Sequence, residues 1–306
     1  MTADTSGKKS RFYEKNGQGR LALKNNGPLY SYPMGIWFLV FFVAPILIIL
    51  VFSFMKQDYY GGVIKEFSIE AYKQVFSPMY GKVYLRTFWI SIVSTGVIIL
   101  LALPCGYAMA RSSRQTLLLI LIIIPFWTNS MIRIFAWMSI LETNGFLHNI
   151  LISIGLMPEN SKLLYNQGAV ILVMIYMFLP YAILPIFSSI DKFDFSLLEA
   201  ARDLGATKAQ SMFKVLLPEI QSGILTAFIF TFIPIFGSYT VPDLIGGKND
   251  TVLGTVIVNQ VMHSRNMPVA SAFSVVITLV STVGVVLMLY SSRRQKMDML
   301  SKKRNG

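Results

Sequence analysis

Long, almost uncharged apolar stretches recur along this chain, and they limit its fold more than any other feature does. A helix needs about 20 apolar residues to cross roughly 30 Å of hydrocarbon. Inside the bilayer no water satisfies backbone groups, so such stretches must span as helices that bond internally. Six segments meet the length: Ile36 to Met55, Thr87 to Ala110, Thr116 to Ile134, Ala169 to Ser189, Gly223 to Val241 and Pro268 to Ser291. With 54% apolar and 14% charged residues and a mean hydropathy of +0.57, the chain is no ordinary soluble globule. The expected fold is an all-α integral membrane protein with six transmembrane helices, the last five forming a core and the first packing around it. More than 30 residues precede the first segment without a small-residue cleavage site, so that segment is expected to be a retained span.

Charge gives the orientation. Of the 27 Lys and Arg, 18 lie in the first 33 residues, at Arg111 and Arg114, between Lys192 and Lys214, and after Ser291. The positive-inside bias therefore places both termini and the Lys192 to Lys214 piece in the cytoplasm. These cations sit at the ends of spans, where anionic headgroups await them, so the net charge of +12 does not imply nucleic acid as a partner. The expected division is a cytoplasmic tail over residues 1–33, flexible to Asn26; the first span and an outer loop over 34–86; a five-helix core over 87–292; and a basic cytoplasmic tail over 293–306. The outer loops, Lys56 to Arg86 and Glu142 to Gly168, have room for short helices such as Ile69 to Val75.

Enzymatic chemistry has little to build on. Cys105 is the single cysteine and His148 and His263 are the only histidines, far apart in sequence, so neither a metal site nor a catalytic set is expected. Neither Gly61-Gly62 nor Gly246-Gly247-Lys248 has the spacing of a phosphate-cradling loop. Uphill transport by this chain would need ATP hydrolysed by another. The chain itself is expected to be no enzyme and to hold no cofactor.

One polar island interrupts this pattern, between the fourth and fifth segments. Leu197, Leu198, Ala200, Ala201 and Leu204 form an apolar stripe, with Glu199, Arg202 and Asp203 on the polar side. Gly205 is a natural helix terminator, Thr207 a natural N-cap, and the Leu216-Leu217-Pro218 run a stop. Two helices so short need a surface to lie against, either their own bundle or a partner.

The spacing Glu199-Ala200-Ala201, three residues, Gly205, nine residues, Val215, one residue, Leu217-Pro218 resembles the EAA loop in the membrane permeases of ABC importers. Only Val215 departs from the pattern, where the family has Ile. The resemblance implies a type I importer, MetI-like permease fold in the bacterial cytoplasmic membrane. It also implies that Glu199, Ala200, Ala201, Asp203, Gly205, Leu217 and Pro218, within coupling helices at about 196–218, dock on an ABC ATPase dimer that binds ATP and Mg.

The spans carry features that a plain bundle does not require. Pro45, Pro104, Pro125, Pro180, Pro185 and Pro234 each remove a backbone donor from an apolar helix, which bends it. In the third segment Pro125, Trp127, Thr128, Asn129, Ser130 and Arg133 fall within nine residues, and polar groups at membrane depth face protein or water. Arg133 reads as a residue snorkelling to the interface. The helix is expected to continue through Trp137 to Glu142 and to stop at Asn144-Gly145. In the sixth segment Ser271, Ser274, Thr278 and Ser281 read as a close-packing stripe.

Pro125 to Arg133, Leu198 to Ala206 and Asp243 to Gly247 together resemble permeases of the spermidine/putrescine importer family, over about Ile36 to Arg294. That implies a second, PotC-type permease and an extracytoplasmic polyamine-binding protein as partners. A polyamine is held well by carboxylates at its ends and aromatic faces along its length. Trp127, Asn129, Trp137, Glu142, Tyr181, Tyr239 and Asp243 are the pathway candidates; Asp243, after Pro242, reads either as a cavity group or as a helix-end carboxylate in solvent. Outer pieces hold 7 carboxylates against 9 Lys and Arg, so no acidic funnel gathers polycations and delivery falls to the binding protein. The alternatives are the same machine for another solute, such as a different organic cation, an iron complex or an opine, and a self-sufficient channel or ion-coupled carrier, which would want a charged relay inside the spans.

Overall fold

The computed structural model describes residues 13–15, 21–23, 27–59, 61–143, 145–158 and 160–305, with side-chain environments within 32–290. Most of the expected N-terminal tail lies outside these residues, as do Asn144 and the side chains of the basic C-terminal tail. The chain forms two compact units, Met1–Val51 and Phe52–Gly306.

In the first unit β1 (Tyr13–Lys15) pairs antiparallel with β2 (Leu21–Leu23). Helix α1 (Gly27–Phe38) begins earlier than the apolar run, with Pro28 in the first turn, where a missing N–H deprives no bond. A π-helical turn, Leu39–Val43, joins it to α2 (Ala44–Phe52). The cause is Pro45: its ring crowds the carbonyl four residues back and it cannot donate, so the Ala44 N–H reaches the Leu39 carbonyl five residues away.

The second unit opens with a feature absent from the sequence reading, a hairpin of β3 (Met55–Gln57) and β4 (Val63–Phe67) turned at Gly61 and Gly62, both at positive φ. Helix α3 (Glu70–Val75) follows, close to the expected Ile69 to Val75. Helix α4 (Gly81–Ala110) is about 45 Å long. Next come α5 (Gln115–Ile123), α6 (Ser130–Leu141), α7 (Phe146–Ser153), α8 (Gln167–Asp191), α9 (Ser196–Asp203), α10 (Lys208–Ser211), α11 (Leu217–Glu219), α12 (Gln221–Phe236), α13 (Thr240–Ile245), α14 (Leu253–Met262) and α15 (Met267–Asn305).

Among the described residues, four helices are long and apolar enough to cross a membrane: Tyr32–Phe52, Pro78–Ala110, Gln167–Asp191 and Met267–Tyr290. The third and fifth expected spans are corrected to bent pairs. The Thr116 to Ile134 run is not one helix: Pro125 converts Ile124–Trp127 to a 3₁₀ turn, Thr128 is extended, and Asn129 starts a new helix at 89° to the first. The Gly223 to Val241 run ends at Phe236, short of a full crossing by itself, and the chain resumes as α13. It is bent by 70° against the helices that precede it.

Helices α4, α8 and α12 pack on one another as the core. Among lipid tails burial of apolar surface drives little, so close van der Waals packing has to hold them. Small residues permit it: a methyl at Gly106 would meet Ile186 Cγ2 at 3.0 Å and the Phe187 nitrogen at 3.2 Å, and one at Gly223 would strike Ser189. A second cluster, around the fully buried Phe273 and including Val75, Tyr80, Phe236, Leu253 and Val269, ties α3, α14 and α15 together. The expected Ser and Thr stripe in α15 is unevenly covered: Ser271 is buried, Ser274 and Ser281 are half-buried, and Thr278 is exposed.

Candidate functional site: an elbow and a cavity at opposite ends of the bundle

The polar island folds as an elbow of two short helices. It is fastened locally at each step. Asp194 Oδ1 accepts from the Ser196 N–H at 3.0 Å, opening α9. The Ser196 hydroxyl first and its backbone N–H second favour the carboxylate form, which holds the Asp194 pKa below the ordinary carboxylate value. At the other end Gly205 takes φ +89°, its N–H bonds to the Arg202 carbonyl at 2.8 Å, and the Ala206 N–H bonds to the Ala201 carbonyl at 3.0 Å. Thr207 Oγ1 then accepts from the Gln210 N–H at 3.2 Å while Gln210 Oε1 accepts from the Thr207 N–H at 2.9 Å.

Helix α10 does not stop at Pro218. It widens to a π turn, Met212–Leu216, continues through α11, and ends at Glu219, one residue later than expected. The reason is the one given for Pro45: Pro218 crowds the Lys214 carbonyl and cannot donate, and the Leu217 N–H reaches Met212.

The apolar stripe of α9 is covered only in part by its own bundle. Only Leu198 is buried and Ala201 half-buried; Leu197 and Ala200 are exposed, and Leu204 is 90% exposed. Phe213, 69% exposed, adds to this open face. Glu199, Asp203, Gly205 and Pro218 are exposed and Leu217 is half-buried. The root of the elbow is held by the end of α4: Arg111 lies 5.0 Å over the Phe195 ring, Tyr107 meets it edge-on at 6.1 Å, and Gln115 Nε2 donates to Asp191 Oδ1 at 3.2 Å.

A cavity of about 530 Å³ lies beyond the other end of α4, lined by residues including Tyr165, Asp243, Lys248, Asp250, Thr255 and Asn259. Asp243 is an exposed residue in the first turn of α13 and also lines this cavity, so the two sequence readings of it, cavity group and helix-end carboxylate in solvent, meet in one place. Asp250 Oδ2 accepts from the Gly247 N–H at 3.0 Å, which closes the loop between α13 and α14. Tyr165 takes a left-handed backbone, φ 62°, and its N–H bonds to the Ile245 carbonyl at 3.0 Å.

The remaining pathway candidates lie apart from this cavity. Asn129 spends its side-chain oxygen on the Met131 N–H at 2.8 Å, as the N-cap of α6. Trp127 is 85% exposed, Trp137 meets Tyr176 edge-on at 5.3 Å, Glu142 is exposed at the end of α6, and Tyr239 precedes α13. Tyr181 meets Phe126 edge-on at 6.4 Å, and the other partner of Phe126 is Arg133, 4.5 Å from the ring centroid. Arg133 is a cation held on an aromatic face, with Nε and Nη1 buried and, among the described residues, without a hydrogen-bond partner.

Sequence reasoning missed Arg86 and Thr87. Arg86 Nη1 donates to the carbonyls of Asn249 and Thr251, and Thr87 Oγ1 accepts from the buried Leu253 N–H at 2.9 Å. Val252, in the cap position of α14, has no acceptor in its side chain, so a hydroxyl from another helix fills that role. No local signal could reveal this.

A bundle of bent apolar helices with an exposed polar elbow at one end and a cavity at the other defines a membrane permease subunit. The chain belongs to the family described as binding-protein-dependent transport system inner membrane component, whose model matches residues 98–297. It is 34% identical over 256 residues to the spermidine/putrescine transport system permease protein PotB of Escherichia coli (strain K12), covering 83% of this chain and 92% of that protein. It is 36% identical over 245 residues to PotB of Haemophilus influenzae, covering 79% and 86%, and 29% identical over 303 residues to the inner membrane ABC transporter permease protein YdcU of Escherichia coli, covering 94% and 93%. A crystal structure of a bacterial ABC transporter involved in import of the acidic polysaccharide alginate shares the fold, with a TM-score of 0.65 at 19% identity, over 88% of this chain and 96% of that one. The chain is thus a multi-pass inner-membrane subunit of an importer.

Proposed function

We propose that this subunit imports polyamines of the spermidine and putrescine type, in complex with a second, PotC-type permease, an ABC ATPase dimer and an extracytoplasmic polyamine-binding protein. The observation that carries the solute class is the 34% identity to PotB over 83% of this chain. The cavity agrees in chemistry: two carboxylates, Asp243 and Asp250, stand with the Tyr165 ring and the Asn259 amide around one space, against a single cation, Lys248. Carboxylates and an aromatic face are what an ammonium chain needs.

The elbow is the ATPase contact in this reading. Its caps are complete and its exposed Leu197, Leu204 and Phe213 have only short helices behind them, an arrangement suited to a groove on a partner. ATP and Mg are bound by that partner. Closure of the ATPase dimer displaces the elbow, and the bent spans turn the cavity from one side to the other. Both termini and the elbow are cytoplasmic.

The test is co-purification of the complex and measurement of ATP hydrolysis and proteoliposome uptake with binding protein loaded with spermidine, putrescine or nothing. Loaded protein should stimulate both. Stimulation only by a binding protein carrying another organic cation, an iron complex or an opine would replace the solute, and uptake by the permease chain without ATPase would replace the mechanism.

A further inference from the structure

Arg86 and Thr87 hold a loop whose acceptors lie far along the chain. The Arg86 guanidinium bonds the carbonyls on both sides of Asp250, those of Asn249 and Thr251. Thr87 Oγ1 donates to the Val83 carbonyl at 2.8 Å and accepts the first N–H of α14 at 2.9 Å, so its single donor is committed within α4 while a lone pair holds the start of α14. Asp250, Thr251 and Thr255, the residues so fixed, form part of the cavity wall.

The same helix grips the elbow at its other end through Tyr107 and Arg111 on Phe195, with Gln115 just beyond bonded to both the Ala110 carbonyl and Asp191. Between the two grips lie about 35 Å of helix. The one weak point is Pro104, and the tight contact of Gly106 on Ile186 and Phe187 seats that stretch against α8.

We propose that Arg86 and Thr87 are positioning residues for transport: they make the cavity wall move with α4, so that displacement of the elbow at one end of that helix reshapes the cavity at the other. The proposal rests on the elbow being the ATPase contact. It does not depend on which solute is carried.

The test uses the whole complex in lipid nanodiscs with Cys105→Ser, which removes the sole cysteine, and Lys248→Cys as a reporter on the cavity wall. The labelling rate by a polar maleimide is compared between nucleotide-free and vanadate-trapped complex. With Arg86 and Thr87 intact the two rates should differ by about fivefold or more. With Arg86→Ala and Thr87→Val together the difference should fall below about twofold, and uptake should drop while ATP hydrolysis continues. Arg86→Lys, which keeps one donor cation, should restore part of the difference; a merely structural loss of the loop would lower labelling differences and protein yield together.

Full state dependence in the double variant overturns the linkage and leaves the proposed function standing. No state dependence with Arg86 and Thr87 intact overturns both. Should the double variant fail to reach the membrane, Thr87→Val alone and Arg86→Lys alone are read the same way, and an undiminished difference in both overturns the linkage.

Discussion

Gly205 turns the elbow with a backbone angle of φ +89°, where an L-side chain costs about 1–2 kcal/mol. Nothing lies within 4 Å of where its Cβ would stand, so the penalty for a larger residue is conformational and not a clash. Gly205→Asp is therefore expected to insert normally and to uncouple ATP hydrolysis from uptake, as is Glu199→Lys; normal uptake by either would count against the elbow's role. Asp194 adds a pH dependence. Its native pKa is depressed by the Ser196 hydroxyl and N–H, so its contribution is present above the unfolded carboxylate range and is lost as pH falls through the native value. Amide protection at 195–198, taken relative to the intrinsic exchange rate at each pH, should fall on acidification, and Asp194→Asn should abolish that fall. Residues whose partners are near in sequence were legible: Thr207 and Gly205 announce a cap and a stop. Arg86 was not, because its acceptors are 163 and 165 residues away.

At the scale of elements, the elbow's second helix hangs on the Thr207 and Gln210 pair. Thr207→Ala should cost about 1 kcal/mol and speed amide exchange over 208–211 severalfold; unchanged exchange would show that packing alone holds the turn. Pro218→Ala should let the Met212–Leu216 turn relax toward α-helical bonding and alter the 70° bend to α12. A spin-label distance across the bend that stays the same would refute this. The proline positions were readable, but their outcomes were not. Pro104, Pro180, Pro185 and Pro234 sit inside continuous helices, whereas Pro125 ends one, because Asn129 stands ready to cap a new start. An apolar count treats Thr116 to Ile134 as uniform and cannot weigh that competition.

Across the whole molecule, hydropathy located the membrane class and the elbow's place between two spans, since both follow from one-dimensional patterns. The hairpin of β3 and β4 and the cavity escaped it, because each depends on which distant segments meet. Orientation remains open to a direct measurement. Reporter fusions at Lys208 should read as cytoplasmic and fusions at Lys248 as external; the reverse would place the elbow beyond reach of an intracellular ATPase. Both π turns, Leu39–Val43 and Met212–Leu216, carry one residue more than an α-helical ladder needs. A surplus residue works like a dial setting: because each α-helical residue advances the chain by about 100°, removing one at Met212–Leu216 would swing Leu204 and Phe213 to a different bearing relative to α12. The compass direction in which the subunit offers its contact face is thereby written in residue number, and mutations that change chain length there should be felt more sharply than those that change chemistry.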